Sequence, residues 1–237
     1  MIFMAIAAFL AFFVKGLCGF ANTMIFTSVL SFSMNNVNIA PVELLIGSPG
    51  NMIVAWKERR YIDWKLVLPL TALVLLGDIP GVFLLKSANA QAIKVLLGGV
   101  IIALGLSMLR PQTAVRKRPS WPVIALVSVI SGLLCGLYGI GALVAVLCAH
   151  ITDNSHASKG TMNVILLGDN LFRVIVYAAT GILTGPVIKQ ALILFPVMVA
   201  GLLLGIRCIS RVNERAARLI IIIALIFSGA ALIITNL

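Results

Sequence analysis

The residues best placed to do chemistry sit in Lys15-Gly16-Leu17-Cys18-Gly19-Phe20-Ala21-Asn22, inside an apolar run from Met1 to about Phe32. A charge at membrane depth is rare and faces a protein interior or a water-filled cavity, and glycine costs about 1 kcal/mol against alanine within a helix. The stretch therefore reads as a break in a membrane helix. It recurs as Cys135-Gly136-Leu137-Tyr138-Gly139-Ile140-Gly141, with Gly16 matching Gly136 and Gly19 matching Gly139. Lys15 has no acid at i±3 or i±4, and its counterpart is Cys135. Its charge is therefore not needed by the repeat. Lys15 either snorkels toward a mouth or meets an anion.

Two half-helices starting after Gly19 and after Gly139 would aim free N–H groups and positive dipole ends at the break, an arrangement suited to an oxyanion. Asn22, Ser48, Asn51, Asn163 and Asn170 could add donors, although amides also join helices to one another. Gly47-Ser48-Pro49-Gly50-Asn51 is a second expected irregularity, because proline removes a backbone donor and frees a carbonyl. Its counterpart is Gly168-Asp169-Asn170-Leu171-Phe172-Arg173, where Asp169 and Arg173 stand one helical turn apart and could neutralise each other. Asp78, in Gly77-Asp78-Ile79-Pro80-Gly81, is a lone acid in its span. Asp78 and Asp169 are the candidates for carrying a coupled proton. His150 and His156 flank a predicted loop and read as surface residues. No HExxH, Walker A, CxxC or GxSxG pattern is present, and neither a metal nor a cofactor is expected.

The elements that must position these groups are membrane helices. Hydrophobic residues make up 61% of the 237 and charged ones 11%, against roughly 45–50% and 25% in soluble domains. Mean hydropathy is +1.14. The expected fold is an all-α integral membrane protein with segments at about 1 to 33, 38 to 56, 66 to 85, 92 to 109, 122 to 150, 157 to 183, 187 to 208 and 215 to 235. The first segment lacks a cleavage region after its apolar part and is kept as part of the mature chain. The net charge of +11 comes from basic residues clustered in short loops, which marks topology and headgroup contact rather than nucleic acid. Cys18, Cys135, Cys148 and Cys208 lie in apolar surroundings and read as buried thiols.

A duplication organises these segments. Gly81, Asn89, Lys94 and Gly105 correspond at one constant separation to Gly205, Asn213, Arg218 and Gly229. Gly77-x-x-x-Gly81 and Gly201-x-x-x-Gly205 read as close-packing faces. The expected layout is a first transmembrane repeat over 1–110, a basic linker over 111–121 and a second repeat over 122–237. If each glycine-broken segment enters and returns on one face, only Lys86, Lys94 and Lys189 remain on the sparsely basic side. The positive-inside rule then favours re-entrant broken helices, inverted repeats and both termini outside.

Lys15-Gly16-x-x-Gly19-Phe20 resembles the KGxxGFG signature of the sulfite exporter TauE/SafE family, also called the 4-toluene sulfonate uptake permease family. Gly136-x-x-Gly139-x-Gly141 is similar to its second-half glycine motif. Lys57 to Arg60 followed by Ile62-Asp63-Trp64 is similar to its R-x-(V/I)-(D/N)-W loop. Ala21 stands where the signature has a third glycine. The resemblance covers nearly the whole chain. It implies export or uptake of sulfite, sulfoacetate, organosulfonates or other small carboxylates.

The expected function is a secondary transporter of small anions in a bacterial inner membrane, not an enzyme. Its partners would be a small anionic substrate and the lipid bilayer, with coupling to a proton or cation and no nucleic acid. Its site would draw on Lys15, Gly16, Gly19, Asn22, Ser48, Asn51, Gly136, Gly139, Gly141, Asn163, Asn170 and Arg173. Two other readings stay open: a membrane redox protein or enzyme using Cys18 and Cys135, and an assembly subunit with no substrate of its own.

Overall fold

The computed structural model describes residues 1–18, 21–34, 36–87, 90–109 and 119–208, with positions 222, 226, 229–230 and 233–234 beyond them. The described residues form nine α-helices: α1 (Ile2–Cys18), α2 (Asn22–Ser31), α3 (Asn36–Lys57), α4 (Trp64–Ser87), α5 (Ala90–Leu109), α6 (Trp121–Tyr138), α7 (Ala142–Ile151), α8 (Ser155–Ala179) and α9 (Gly185–Cys208). A 3-10 turn over Arg59–Tyr61 links α3 to α4. Among the described residues, five helices are long and apolar enough to cross a membrane, namely those at 38–57, 64–85, 121–138, 155–179 and 185–208. The linker expected at 111–121 and most of the segment expected at 215–235 lie outside the described residues.

Both glycine-broken segments are divided. The first run becomes α1 and α2 around Ala21, whose φ of 75° is left-handed. The fifth becomes α6 and α7 around Gly139, with φ 73°. That conformation costs an L-residue about 1–2 kcal/mol and a glycine nothing. Each short helix packs back against the longer one before it. Halves of about 15 residues are the expectation, but α2 and α7 have 10 residues each. At 1.5 Å per residue that is about 15 Å, roughly half the hydrocarbon thickness.

The irregularity expected at Gly47 to Asn51 does not break its helix. α3 runs without interruption through Pro41 and Pro49. Ser48 Oγ donates to the Leu44 carbonyl at 2.6 Å, and packing of α3 against α8 and α9 holds the helix despite the donor missing at Pro49.

Helix contacts follow the same scheme in both halves: α1 lies along α9 and α6 lies along α4, while α3 meets α8 and α9 and α4 meets α8. Glycines set the first two contacts. A Cβ on Gly16 would lie 2.5 Å from the Leu202 carbonyl oxygen and 2.8 Å from Gly205 Cα. One on Gly81 would lie 2.6 Å from the Leu133 oxygen and 3.0 Å from Gly136 Cα. Gly77 abuts the Val129 carbonyl and Gly201 the Phe9 carbonyl. Backbones approach this closely only where side chains are absent. Large apolar side chains such as Leu68, Leu76 and Phe83 on α4 and Leu171 and Ile175 on α8 are exposed, as lipid-facing positions of a membrane bundle are.

Candidate functional site

The two breaks lie side by side at a common cavity. It is lined by Lys15 at the end of α1, by Ala21, Asn22, Thr23 and Met24 at the start of α2, by Glu43 and Asn51 on α3, by Gly139, Gly141 and Ala142 at the start of α7, and by Leu166 and Asn170 on α8. The first turn of each short helix therefore borders the same space. Neither Ala21 nor Gly141 supplies a side-chain cap, so the first N–H groups of α2 and α7 have no side chain satisfying them from the N-cap. The centres of water-sized groups have about 30 Å³ in this cavity, room for roughly two waters. Its occupant in this conformation is small.

Lys15 is 1% exposed, which rules out snorkelling to a surface. Its Nζ donates to Asn22 Oδ1 at 3.2 Å and to Asn51 Oδ1. Its stem passes Phe12, with the ammonium 5.9 Å from the ring centroid. Among the described residues no carboxylate lies within ion-pair distance of Lys15. The ammonium is held by neutral amides at the edge of a cavity.

Glu43 faces it from α3. Its Oε1 accepts from Asn22 Nδ2 and from Thr23 Oγ1, both at 2.7 Å. Asn22 thus joins the two charges, its oxygen on Lys15 and its nitrogen on Glu43. Glu43 is absent from the expected site residues. The signal was a single acid inside the apolar run from Val37 to Trp56, of the same kind that singles out Asp78.

Arg173 lies behind Gly139. A Cβ there would be 3.2 Å from Arg173 Nη1, 3.1 Å from Glu43 Oε2 and 3.1 Å from Thr23 Cγ2, so a side chain would press on all three from a backbone that already favours glycine. The Asp169–Arg173 pair forms, with Nη1 3.9 Å from Oδ2 and both side chains 1% exposed. Arg173 Nη2 also donates to Tyr177 Oη at 3.0 Å. Asp78 is fully buried, and neither of its oxygens has a hydrogen-bond partner among the described residues. Asp78 and Asp169 do not line the cavity.

Of the expected site residues, Lys15, Asn22, Asn51, Gly139, Gly141 and Asn170 meet at the cavity, and Arg173 stands next to it. Ser48 does not line it, because its hydroxyl is spent on its own helix. Asn163 donates back to the Lys159 carbonyl at 2.8 Å and also stands away. Gly16 and Gly136 make helix contacts with α9 and α4 instead. Gly19 lies outside the described residues, as does the side chain of Cys18. Cys135 and Cys148 are buried free thiols, and Cys135 Sγ donates to the Ile140 carbonyl at 3.6 Å. His156 is on the surface, with Nδ1 2.8 Å from Glu58 Oε2, whereas His150 is part-buried against the Val146 carbonyl.

A family model described as sulfite exporter TauE/SafE matches residues 4–232. The chain belongs to the TauE/SafE family. That makes it a multi-pass membrane protein of a permease and exporter family for sulfur-containing anions, in keeping with the five helices among the described residues that are long and apolar enough to cross a membrane. Comparison with curated proteins and with solved structures gave no match. Within the TauE/SafE signature, the alanine at position 21 occupies a left-handed backbone, which gives a physical reason for the glycine the signature carries there.

Proposed function

We propose that this TauE/SafE chain is a secondary transporter that carries a small oxyanion, such as sulfite, an organosulfonate or a small carboxylate, by alternating access around the cavity at the two helix breaks. The observation that carries the reading is Lys15, a buried ammonium with no described carboxylate at ion-pair distance, at a cavity bordered by the first turns of α2 and α7. Such an ammonium attracts an anion, and uncapped helix starts offer N–H donors to its oxygens. Asn51 and Asn170 are further donors on the facing helices. Arg173 adds positive potential from behind Gly139.

The matching helix order and contacts of the two halves support inverted repeats, with α1–α2 and α6–α7 as re-entrant pairs. Such repeats place substrate at their interface, near the bilayer midplane. The test is uptake of labelled sulfite and methanesulfonate into proteoliposomes. The wild-type protein is expected to show saturable flux, and Lys15→Ala and Arg173→Ala each to reduce it at least tenfold. Unchanged flux in both variants removes this site.

A further inference from the structure

The cavity has a feature that an anion site alone does not explain, a carboxylate within it. Among the described residues buried in the helical interior, the charged side chains are Lys15 and Arg173 against Glu43, Asp78 and Asp169. Asp78 has no partner on either oxygen among the described residues, and a carboxyl buried so stays the neutral acid, which leaves Lys15 and Arg173 against Glu43 and Asp169. An anion entering this low-dielectric region adds an uncompensated negative charge, and such a charge costs several kcal/mol unless it is neutralised. A proton taken up with the anion keeps the interior charge constant.

The groups surrounding Glu43 decide where that proton goes. Lys15 faces it from α1, Asn22 and Thr23 from α2, and Asp169 and Arg173 from α8. Asp78 on α4 and Cys135 on α6 stand in the layer behind. α9 brings only Lys189 and Arg207, both exposed, and α5 carries Lys94 as its one charged residue. Asp169 has its counter-ion in Arg173. Asp78 does not reach the cavity and abuts the backbone of Gly136. Glu43 alone lines the cavity, with its balance against Lys15 mediated by Asn22 rather than by direct contact. When an anion takes up the Lys15 ammonium, that balance is lost.

From this geometry we infer that Glu43 is the proton-binding carboxylate of the pocket, taking one proton from water as each anion binds and releasing it when the anion leaves. The step forms an O–H bond at a Glu43 oxygen, consumes one aqueous proton, and oxidises or reduces nothing. It rests on the anion-transport reading and moves the coupling site from Asp78 and Asp169 to Glu43. The protonated carboxyl also becomes a donor next to Gly139, where the ionised form could only repel the anion.

The probe is methanesulfonate, a permanent anion that carries no proton of its own near neutrality. Titrated into purified protein in weak buffer with a pH indicator, it is expected to draw about one proton from solution per anion bound. Its affinity should fall about tenfold per pH unit wherever the free pocket is ionised, as one linked proton requires. Glu43→Gln is expected to bind methanesulfonate with no proton uptake and no pH dependence over that range. Wild-type binding without proton uptake overturns the inference while leaving anion transport intact, as does a requirement for sodium in place of protons. Proton uptake that persists in Glu43→Gln also overturns it and returns the proton to Asp78 or Asp169. Failure of methanesulfonate, sulfite and acetate alike to bind the wild type refutes the anion reading itself. If Glu43→Gln does not fold, Glu43→Asp takes its place: a pH dependence of methanesulfonate binding that Glu43→Asp leaves unshifted from wild type overturns the assignment to Glu43.

Discussion

Replacing Lys15 with methionine separates the two roles a buried ammonium can have. Removing it leaves the amide oxygens of Asn22 and Asn51 without their charged donor, at about 1–3 kcal/mol for each unsatisfied group. The same change removes the desolvation cost of a 1% exposed ammonium, an effective penalty of several kcal/mol per ion. The two terms oppose each other, and methionine fills the space beside Phe12. Folding stability should therefore change by no more than about 2 kcal/mol. Anion binding has no such offset, since truncating one partner of a buried charged pair costs about 2–5 kcal/mol. At about 1.4 kcal/mol per tenfold, affinity should fall between roughly 30-fold and several thousand-fold. The assay is methanesulfonate or sulfite titration of Lys15→Met, with thermal unfolding run in parallel and exposed Lys57→Met as the control. Affinity within threefold of wild type refutes the reasoning. So does a binding loss accompanied by equal loss of stability, which would make Lys15 a structural group.

The backbone at the breaks gives a paired prediction: Ala21→Gly should raise thermal stability by about 1 kcal/mol and Gly139→Ala lower it by at least 1–2 kcal/mol, because both positions are left-handed. Differential scanning fluorimetry in detergent reads both. Gly77→Ala should destabilise by about 1–3 kcal/mol, since its Cβ would collide with the Val129 carbonyl, and the same scan checks it. Cys135→Ser and a variant with all four cysteines changed to serine should retain anion flux in proteoliposomes, and loss of flux in a folded variant would restore a redox reading. His156→Ala should cost less than about 1 kcal/mol in chemical denaturation, as its contact with Glu58 is made from a side chain 62% exposed.

The breaks in the first and fifth segments could be read from sequence because lysine and paired glycines are costly in a lone lipid-facing helix. Meeting the paired glycines twice at the same spacing removed the alternative of accident. The helix-packing glycines were legible for the same reason: Gly77, Gly81, Gly201 and Gly205 all touch neighbouring backbone. The turn at Gly47 to Asn51 was over-read. One proline and two glycines looked like a break, but a helix buried among neighbours tolerates them when Ser48 and tertiary packing compensate. Asn163 stands away from the cavity with its amide donating to the Lys159 carbonyl one turn back on its own helix, a choice that spacing does not reveal. Glu43 is the opposite case. A lone acid in an apolar run marks it in the sequence, but its partners appear only when α2 brings Asn22 and Thr23 against it.

The backbone contacts of Gly16 with Gly205 and of Gly136 with Gly81 cross between the two halves of the chain. Each half therefore lends its opening helix to the other's fourth. Helices joined at van der Waals backbone distance slide poorly. Under the alternating-access proposal, the opening that admits substrate swings two interleaved arms, α1 with α9 and α6 with α4, about the α3–α8 seam where Asn51 and Asn170 border the cavity.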